Sequence, residues 1–584
     1  MRIPEEHFFH TSDGARLFYR YWPALSSPAN QAVVLFHRGH EHSGRLQHLV
    51  DELDLPGLPM FAWDARGHGR SFDKDGDADA SMGTLVQDVD DFVRHVTETY
   101  AIATEDFAVV GQSVGSVLAA TWVHDFAPRI RCMVLAAPAF KVKLYVPLAR
   151  PTLRLLHALR GNFYVNSYVK PGALTHDPER ISSWLNDPLI RRPIPVNILL
   201  ALYTTADRVI DDAQAIQVPT QVLISGADFV VRLKPQAQFF ERLGTKVKER
   251  HVFEGFYHDT LGEKDRQPAV RKVREFIVNR FAEPPAHTNL LDSDRTGYTR
   301  AEFDRLKQPL PPLSPKALSY AVSRLAMRTG GRLSDGIRLG LTTGFDSGST
   351  LDYVYRNKPS GYTPLGKLID WFYLNSIGWR GIRIRKQNLI RLLARAVTML
   401  REHGQPVRIV DIAAGHGRYV LEAIETAGPV VESALLRDFS ESNVEQGKRL
   451  ICQKGLQAVA RFEKGDAFDR QSLAALDPTP TLGIVSGLYE LFPDNRGVRE
   501  SLRGLADAIA AGGYLVYTGQ PWHPQLEMIA RTLGSHRDGE PWIMRRRTQA
   551  EMDQLVEAAG FRKAEQLTDD WGIFTVSLAR RMDH

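Results

Sequence analysis

A serine lies between two glycines in the segment Gly111-Gln112-Ser113-Val114-Gly115, after the apolar run FAVV and before a pattern typical of a helix. A strand-to-helix turn this sharp leaves no room for a Cβ on either side of the serine, and it exposes the serine hydroxyl. The first helical amide, that of Val114, would then donate to a developing oxyanion. These residues predict a nucleophilic serine, with a serine in an ordinary turn as the alternative.

Two further side chains follow this serine in the order that an activated nucleophile requires. Asp228 comes after the apolar run TQVLIS, and His258 comes after the next run, RHVF. A serine hydroxyl is a weak nucleophile without a base, so His258 would accept its proton while Asp228 fixes the imidazole tautomer. A lone loop histidine or aspartate is usually only solvated, but the order and the positions at strand ends predict a Ser113, Asp228, His258 triad.

Four motifs within the first 282 residues resemble the monoacylglycerol lipase and lysophospholipase branch of the α/β-hydrolases. They are LFHRGHEHSGR (Leu35 to Arg45), WDARGHGRS (Trp63 to Ser71), GQSVG and the histidine of EGFYH. The resemblance implies a small-molecule or lipid ester as substrate, and the backbone amide of Gly39 as second oxyanion donor. The chain departs from the family pattern at Arg38, where the family usually has glycine.

Three histidines of the first motif, His37, His40 and His42, invite interpretation as a metal site. No carboxylate or cysteine at ligand spacing completes such a site, and hydrogen bonding within a loop accounts for the histidines. We therefore predict no metal.

A second candidate site begins at VRIVDIAAGHGRYVLEAI, an apolar strand followed by a loop of small residues and a helix. Small residues let the backbone approach a ligand closely. The segment resembles the glycine-rich motif of class I S-adenosylmethionine-dependent methyltransferases, with Ala413 in place of the first glycine, followed by Gly415 and Gly417. A glycine-rich turn alone is common to many nucleotide-binding folds.

Acidic residues at the ends of three successive predicted strands strengthen this interpretation. The resemblance implies that Asp411 lies near the methionine end of the cofactor, that Asp438 binds the ribose hydroxyls, and that Asp466 and Ala467 face the adenine amine. Helix capping by strand-terminal acids is the alternative. We predict S-adenosylmethionine as the cofactor.

The methyl acceptor is not evident from the sequence. The segment SGLYELFPDN lacks the Asn/Asp-Pro-Pro-Tyr pattern used for exocyclic amines of bases, so no nucleic-acid partner is expected. Tyr489, Glu490 and His523 are candidates for an acceptor pocket, with a core tyrosine and a solvated histidine as the favoured alternative.

Two α/β units are needed to position these residues. Short apolar runs alternate with helical patterns from residue 32, pause in an apolar helical stretch typical of a cap, and resume at residue 407. We predict an α/β fold with two doubly wound domains: an α/β-hydrolase domain over 1–282 with a cap near 140–215, a linker and extension over 283–345, and a Rossmann-like class I methyltransferase domain with N-terminal helices over 346–584.

Composition excludes several other classes. A chain of 584 residues exceeds the size of one hydrophobic core, and 43% hydrophobic with 24% charged residues is typical of a globular protein. The net charge of +5 is too small to indicate nucleic-acid binding, and two cysteines give no disulfide framework. We find no signal peptide and no apolar run of about 20 residues. We predict a cytoplasmic protein, with peripheral contact between its basic, apolar cap and the inner membrane left open.

Together these features predict a serine hydrolase of lipophilic acyl esters, such as a monoacylglycerol or lysophospholipid, fused to an S-adenosylmethionine-dependent methyltransferase. One alternative keeps the hydrolase and makes the C-terminal domain a regulatory sensor that only binds the cofactor. Another makes the hydrolase a degenerate docking module, which the intact triad order disfavours. The ester, the methyl acceptor and the oligomeric state are not specified by the sequence.

Overall fold

A computed structural model describes residues 1–26, 30–73, 77, 80–537 and 539–582. The chain divides into two compact units, residues 1–288 and 289–584. Each unit is built on its own mixed sheet.

The first unit contains an eight-stranded sheet in the order β1-β2-β4-β3-β5-β6-β9-β10. The pairs β1/β2 and β2/β4 are antiparallel, and the other pairs are parallel. The central strands are buried on both faces, which is why their sequences are continuous apolar runs. The strands of this unit are β1 Glu5–His10, β2 Arg16–Trp22, β3 Ala32–Phe36, β4 Met60–Trp63, β5 Phe107–Gln112, β6 Cys132–Ala136, β7 Tyr164–Asn166, β8 Pro193–Pro195, β9 Thr220–Ser225 and β10 Lys248–Phe253.

Helices cover both faces of this sheet. One apolar core includes side chains of the second, third and seventh helices, and another includes side chains of the first and eighth helices. The helices are α1 Gln47–Glu52, α2 Met82–Tyr100, α3 Val114–Phe126, α4 Ala149–Arg160, α5 Pro178–Leu185, α6 Val196–Asp211, α7 Leu233–Arg242 and α8 Gln267–Ala282.

The segment between β6 and β9 forms an insertion made of α4, α5, α6 and the short antiparallel pair β7/β8. The two short strands are an addition to the purely helical cap that the sequence predicts near 140–215. Helix α4 buries none of its residues.

The second unit contains a seven-stranded sheet in the order β13-β12-β11-β14-β15-β17-β16. Strands β11 to β15 pair in parallel, while β17 pairs antiparallel with both β15 and β16. The direction of strand succession reverses between β11 and β14, which is where ligands bind in open α/β sheets. The strands are β11 Val407–Asp411, β12 Val431–Asp438, β13 Ala460–Lys464, β14 Leu482–Val485, β15 Tyr514–Gly519, β16 Phe561–Thr568 and β17 Thr575–Arg581.

The helices of this unit include several that precede the sheet. They are α9 Ser293–Thr296, α10 Tyr298–Lys307, α11 Pro315–Arg328, α12 Asp335–Thr343, α13 Gly348–Arg356, α14 Pro364–Leu374, α15 Ile377–Glu402, α16 Arg418–Ala427, α17 Glu441–Lys454, α18 Arg470–Ala474, α19 Asn495–Ala508, α20 Leu526–Thr532 and α21 Gln549–Ala558.

Residues 289–345, which the sequence predicts to be part of a linker and extension, belong to the second compact unit. Asp294 accepts a hydrogen bond from the amide of Asn495 at 2.7 Å, at the first turn of α19. Phe303 and Leu306 are buried. The segment's proline and aspartate content is typical of a loop, but these long-range contacts fix it in place.

Both units are α/β, and the predicted fold class is confirmed. Among the described residues, the helices include none with the length and apolar character required to cross a bilayer.

Candidate active sites in the two units

Ser113 occupies the turn between β5 and α3 in a strained conformation, with φ 53° and ψ −112°. A Cβ on Gly115 would lie 2.5 Å from the carbonyl oxygen of His37, and one on Gly111 would lie 2.8 Å from that of Gly115. These contacts with backbone cannot give way cheaply, so the turn requires both glycines.

The structure brings Ser113, His258 and Asp228 together in a hydrogen-bonded chain. The Ser113 hydroxyl lies 2.8 Å from Nε2 of His258, and Nδ1 of His258 lies 2.8 Å from Oδ2 of Asp228. All three residues are buried, with at most 6% of their surface exposed. This arrangement allows the imidazole to take the hydroxyl proton while the carboxylate stabilises the imidazolium.

The carboxylate of Asp228 is held in its charged form. Its other oxygen accepts hydrogen bonds from the amides of Val230, at 2.7 Å, and Val231, at 2.9 Å. Burial alone would raise the pKa of Asp228, but the charge of His258 and these hydrogen bonds outweigh it and lower that pKa. The carboxylate therefore remains available to orient His258.

The two predicted oxyanion donors lie beside each other and beside the serine. Gly39 and Val114 line the same cavity as Ser113 and His258, and a Cβ on Gly39 would lie 3.3 Å from the Val114 side chain. In the described part of the chain, neither amide donates to a protein carbonyl. Both N–H groups are therefore free to bind a substrate oxygen.

Arg38, where the chain departs from the family pattern, is buried in a cluster of charges. Its guanidinium lies 2.6 Å from Glu41 and 3.1 Å from Asp259, the residue that follows His258. Arg180 contacts the same Asp259 oxygen at 3.0 Å. Burial alone would lower the pKa of Arg38, but Asp259 and Glu41 raise it above its usual value. The ion pair between Arg38 and Asp259 thus connects the loop that carries Gly39 to the loop that carries His258.

The three histidines of the first motif hydrogen-bond to separate protein groups. His37 lies 2.6 Å from the Arg38 carbonyl, His40 lies 2.7 Å from the Arg191 carbonyl, and His42 lies 3.0 Å from Asp187. No cluster of three or more metal-binding side chains occurs among the residues that the structure describes.

A cavity of about 980 Å³ opens onto the serine and extends under the insertion. Ser113 and His258 line it together with many apolar side chains, among them Phe36, Trp63, Leu118, Val142, Trp184 and Leu202. The size is that of a site for a large ligand, and the lining suits an apolar one.

In the second unit, the predicted glycine-rich loop follows β11 and leads into α16. Gly415 and Gly417 have positive φ values of 58° and 74°. A Cβ on Gly417 would lie 2.1 Å from the Leu436 side chain, so the loop packs closely on β12. Ala413, unlike these two glycines, does not have a positive φ, and its amide donates to Asp411 at 3.1 Å.

The predicted acids lie at one edge of the sheet, at the carboxyl ends of neighbouring strands. Asp411 ends β11, Asp438 ends β12, and Asp466 follows β13. The Oδ1 oxygen of Asp438 accepts a hydrogen bond from the side chain of Asn443 at 3.0 Å. Its Oδ2 oxygen accepts one from the amide of Gly415 at 2.9 Å and has no other donor among the described residues. Asp466 is exposed, while Ala467 is buried in the core.

Asp411 is fully buried and accepts a hydrogen bond from the hydroxyl of Tyr419. Burial raises the pKa of Asp411 to about 7, against the lowering effect of the Tyr419 hydrogen bond. The carboxyl group therefore changes charge near neutral pH.

Phe439 is a candidate binding residue that the sequence analysis missed. It follows Asp438 directly, and 72% of its surface is exposed although it is a large aromatic side chain. A ring at this position could stack on a purine. An aromatic residue directly after a strand-terminal acid was the available signal. The exposed ring, the carboxylate of Asp438 and the tight glycine loop together fit a nucleoside cofactor such as S-adenosylmethionine.

The candidates for an acceptor pocket have different environments. Tyr489 is a core residue whose hydroxyl lies 2.9 Å from that of Ser501. Glu490 and His523 line a second cavity, and His523 is buried, so the alternative of a solvated histidine is wrong.

Comparison with protein families matches both units. Residues 27–265 match the family described as "Serine aminopeptidase, S33", and residues 273–581 match the family described as "Putative methyltransferase". Over its whole length the chain is similar to the uncharacterized protein YnbC of Escherichia coli (strain K12). The two are 57% identical over 583 residues, which cover 100% of this chain and 99% of that protein.

The first unit has further relatives. It is 26% identical over 281 residues to the monoacylglycerol lipase of Mycolicibacterium smegmatis, covering 47% of this chain and 97% of that protein. Among solved structures, the monoacylglycerol lipase of Paleococcus ferrophilus matches with 22% identity and a TM-score of 0.41, over 45% of this chain and 99% of that chain.

Proposed function

Because the chain belongs to the methyltransferase family that residues 273–581 match and carries an α/β-hydrolase unit before it, we propose a fusion of two enzymes. The first is a serine hydrolase of lipophilic acyl esters, and the second is an S-adenosylmethionine-dependent methyltransferase. The observation that carries the hydrolase proposal is the hydrogen-bonded chain from Ser113 through His258 to Asp228.

The hydrolysis follows from this geometry. Ser113 Oγ attacks the ester carbonyl carbon as its proton passes to Nε2 of His258, and the oxyanion accepts hydrogen bonds from Val114 and Gly39. The imidazolium then gives its proton to the leaving alcohol, and the acyl group remains on Ser113. Water, deprotonated by His258, releases the fatty acid and restores the hydroxyl.

The ester that fits best is a monoacylglycerol or a lysophospholipid. The cavity beside Ser113, about 980 Å³ and mainly apolar, has room for an acyl chain. Several relatives of this unit carry the name monoacylglycerol or monoglyceride lipase, which supports the same class. The test is hydrolysis of monoacylglycerols of increasing chain length, and we expect kcat/KM to rise with chain length and to vanish in Ser113→Ala. Preference for short, soluble esters would contradict the assignment.

Such a substrate would come from a membrane, and the insertion offers a surface for contact with it at the cytoplasmic face. Leu155 and Leu159 of α4 are 61% and 74% exposed, and Arg154 and Arg160 belong to the same helix. This combination suits an anionic lipid interface. We expect binding to phosphatidylglycerol vesicles that the double change Leu155→Gln and Leu159→Gln weakens, whereas Leu325→Gln, another exposed leucine, does not. Equal binding by all three proteins would argue against contact through α4.

For the second unit, the proposed ligand is S-adenosylmethionine, which when bound supplies an electrophilic methyl group. Asp438 would hold the ribose hydroxyls, Phe439 would stack on the adenine and Asp466 with Ala467 would meet its amine. The backbone from Ala413 to Gly417, with Asp411, would lie along the methionine end. Calorimetry with S-adenosylhomocysteine tests the binding, and methyl release from labelled cofactor in a cell extract separates an enzyme from a sensor that only binds.

A further inference from the structure

A cavity of about 170 Å³ lies in the second unit at the carboxyl ends of β14 and β15. Gly487 and Glu490 follow β14, Gln520 and His523 follow β15, and all four line this cavity. Because β14 is the neighbour of β11, the cavity lies across the reversal point of the sheet from Asp438 and the glycine-rich loop. It is thus next to the proposed cofactor crevice without being part of it.

The walls of this cavity are aromatic and flexible apolar side chains. The rings of Trp379 and Trp542 are near-parallel, at 24°, with centroids 6.3 Å apart. Phe574 and three methionines also line it: Met327, Met528 and Met544. A dry cavity of roughly 150 Å³ is large enough to bind one benzene ring. The apolar part of a ligand here is therefore about one aromatic ring in size.

The same lining contains buried polar atoms that lack partners. Nε of Arg385, Nε2 of Gln520 and Nε1 of Trp542 donate to none of the described residues. A buried donor without a partner destabilises the folded protein, so three around one cavity call for an explanation. A ligand oxygen that accepts hydrogen bonds would provide one.

An acceptor of hydrogen bonds is present as well. The carboxylate of Glu490 lies 3.6 Å from Nη1 of Arg385, and no described side chain or amide donates a hydrogen bond to it. His523 is neutral, since burial lowers its pKa to about 4, and its Nδ1 accepts from the amide of Gln525 at 3.0 Å. A hydroxyl group matches this set, because its oxygen accepts from N–H groups while its hydrogen donates to a carboxylate.

We propose that this cavity is the methyl-acceptor site and that the acceptor is a small hydroxylated aromatic compound, a phenol. The inference rests on the proposed function, since only a methyltransferase has an acceptor. The phenol oxygen forms a bond to the methyl carbon as the carbon–sulfur bond of the sulfonium donor breaks and leaves its electron pair on sulfur. The phenol proton passes to Glu490, and the product is an aryl methyl ether.

The test uses the full chain with carbon-13-labelled methionine methyl groups, saturated with S-adenosylhomocysteine and titrated with 4-methylphenol or toluene. Met327, Met528 and Met544 report on this cavity, whereas Met82 lines the cavity of the first unit and reports on binding there. We expect the first three signals to shift with 4-methylphenol, and toluene to bind at least tenfold more weakly. Trp542→Phe and Glu490→Gln should each weaken 4-methylphenol at least threefold, whereas the exposed-tryptophan control Trp371→Phe should not.

Each outcome separates this inference from the proposed function. Equal affinity for toluene would overturn the phenol class, and shifts of Met82 alone would overturn the site. If S-adenosylhomocysteine binds and 4-methylphenol does not, the inference fails and the proposed function stands. If 4-methylphenol binds and S-adenosylhomocysteine does not, the proposed function fails and the acceptor role fails with it. Trp542→Phe keeps an aromatic ring in the wall and removes the indole N–H, so it tests the donor even if Glu490→Gln destabilises the fold.

Discussion

Replacing Arg38 by methionine tests whether its ion pairs only stabilise the fold or also position the active site. The change leaves Glu41 without its contact at 2.6 Å and removes one of the two guanidinium groups at Asp259. Removing one partner of a buried ion pair costs about 3–5 kcal/mol. The loop with Gly39 would lose its tie to the loop with His258, and loss of one oxyanion donor lowers kcat by about 10²–10³-fold.

The matched control is Arg208→Met. Arg208 forms a buried pair with Asp125, with side chains 4% exposed, and it does not line the cavity beside Ser113. With a urea m-value of about 3 kcal/mol/M, both variants should lose esterase activity at a urea concentration about 1–1.7 M lower than wild type. Without urea, kcat for a p-nitrophenyl ester should fall only in Arg38→Met. A kcat within threefold of wild type in that variant, or an equal fall in both variants, would refute the positioning role.

Three further predictions follow from single residues. In Gly115→Ala, the new Cβ would lie 2.5 Å from a backbone oxygen, so we expect the free energy of unfolding to fall by about 1–3 kcal/mol and esterase activity to fall as well. Gly172→Ala, with open space around its Cβ, should match wild type. Equal stability of the two variants would be inconsistent with the tight turn. Asp438→Ala should weaken S-adenosylhomocysteine in calorimetry by about 10-fold or more, since a hydrogen bond to a charged group contributes about 1.5–3 kcal/mol. Phe439→Ala should weaken it by about 5-fold or more, since stacking of a base on an aromatic ring contributes about 1–3 kcal/mol. Asp507→Ala, at an exposed ion pair, should leave the affinity unchanged, and unchanged affinity in either of the first two variants would exclude the ribose or the adenine contact. Asp411 has a pKa of about 7, so its carboxyl group becomes negatively charged as pH rises. Affinity for S-adenosylmethionine should therefore rise from pH 5.5 to 7.5 in wild type but not in Asp411→Asn. Parallel dependence of affinity on pH in the two proteins would contradict the place of Asp411 near the ammonium group at the methionine end of the cofactor.

Positions set by strand ends were predictable from the sequence. Ser113 and Asp228 each follow a buried apolar strand, and His258 follows the partly exposed edge strand β10. Parallel strands bring their carboxyl ends to one edge of a sheet. The same logic gave Asp411, Asp438 and the glycine-rich loop. In the first unit, the four motifs distinguished a catalytic triad from isolated loop residues, and the structure adds the distances between the three side chains.

Features that depend on distant partners were not predictable. Arg38 appeared only as a departure from a family pattern, because nothing local indicates its contact with Asp259. The antiparallel pair β16/β17 was not identified, since β16 is only partly buried and lacks a continuous apolar run. The exposure of Phe439 and the cavity around Trp542 are also properties of packing, which periodicity in a sequence does not describe.

The central claim is that Ser113 is a nucleophile activated by His258, and covalent labelling tests it most directly. The full chain is treated with a fluorophosphonate, and the modified peptide is identified by mass spectrometry in wild type, Ser113→Ala and His258→Ala. We predict one stoichiometric label on Ser113 in wild type, none in Ser113→Ala and labelling slowed by at least 10³-fold in His258→Ala, since the base is what makes the hydroxyl reactive. A label on another serine, or equal rates in wild type and His258→Ala, would contradict the account.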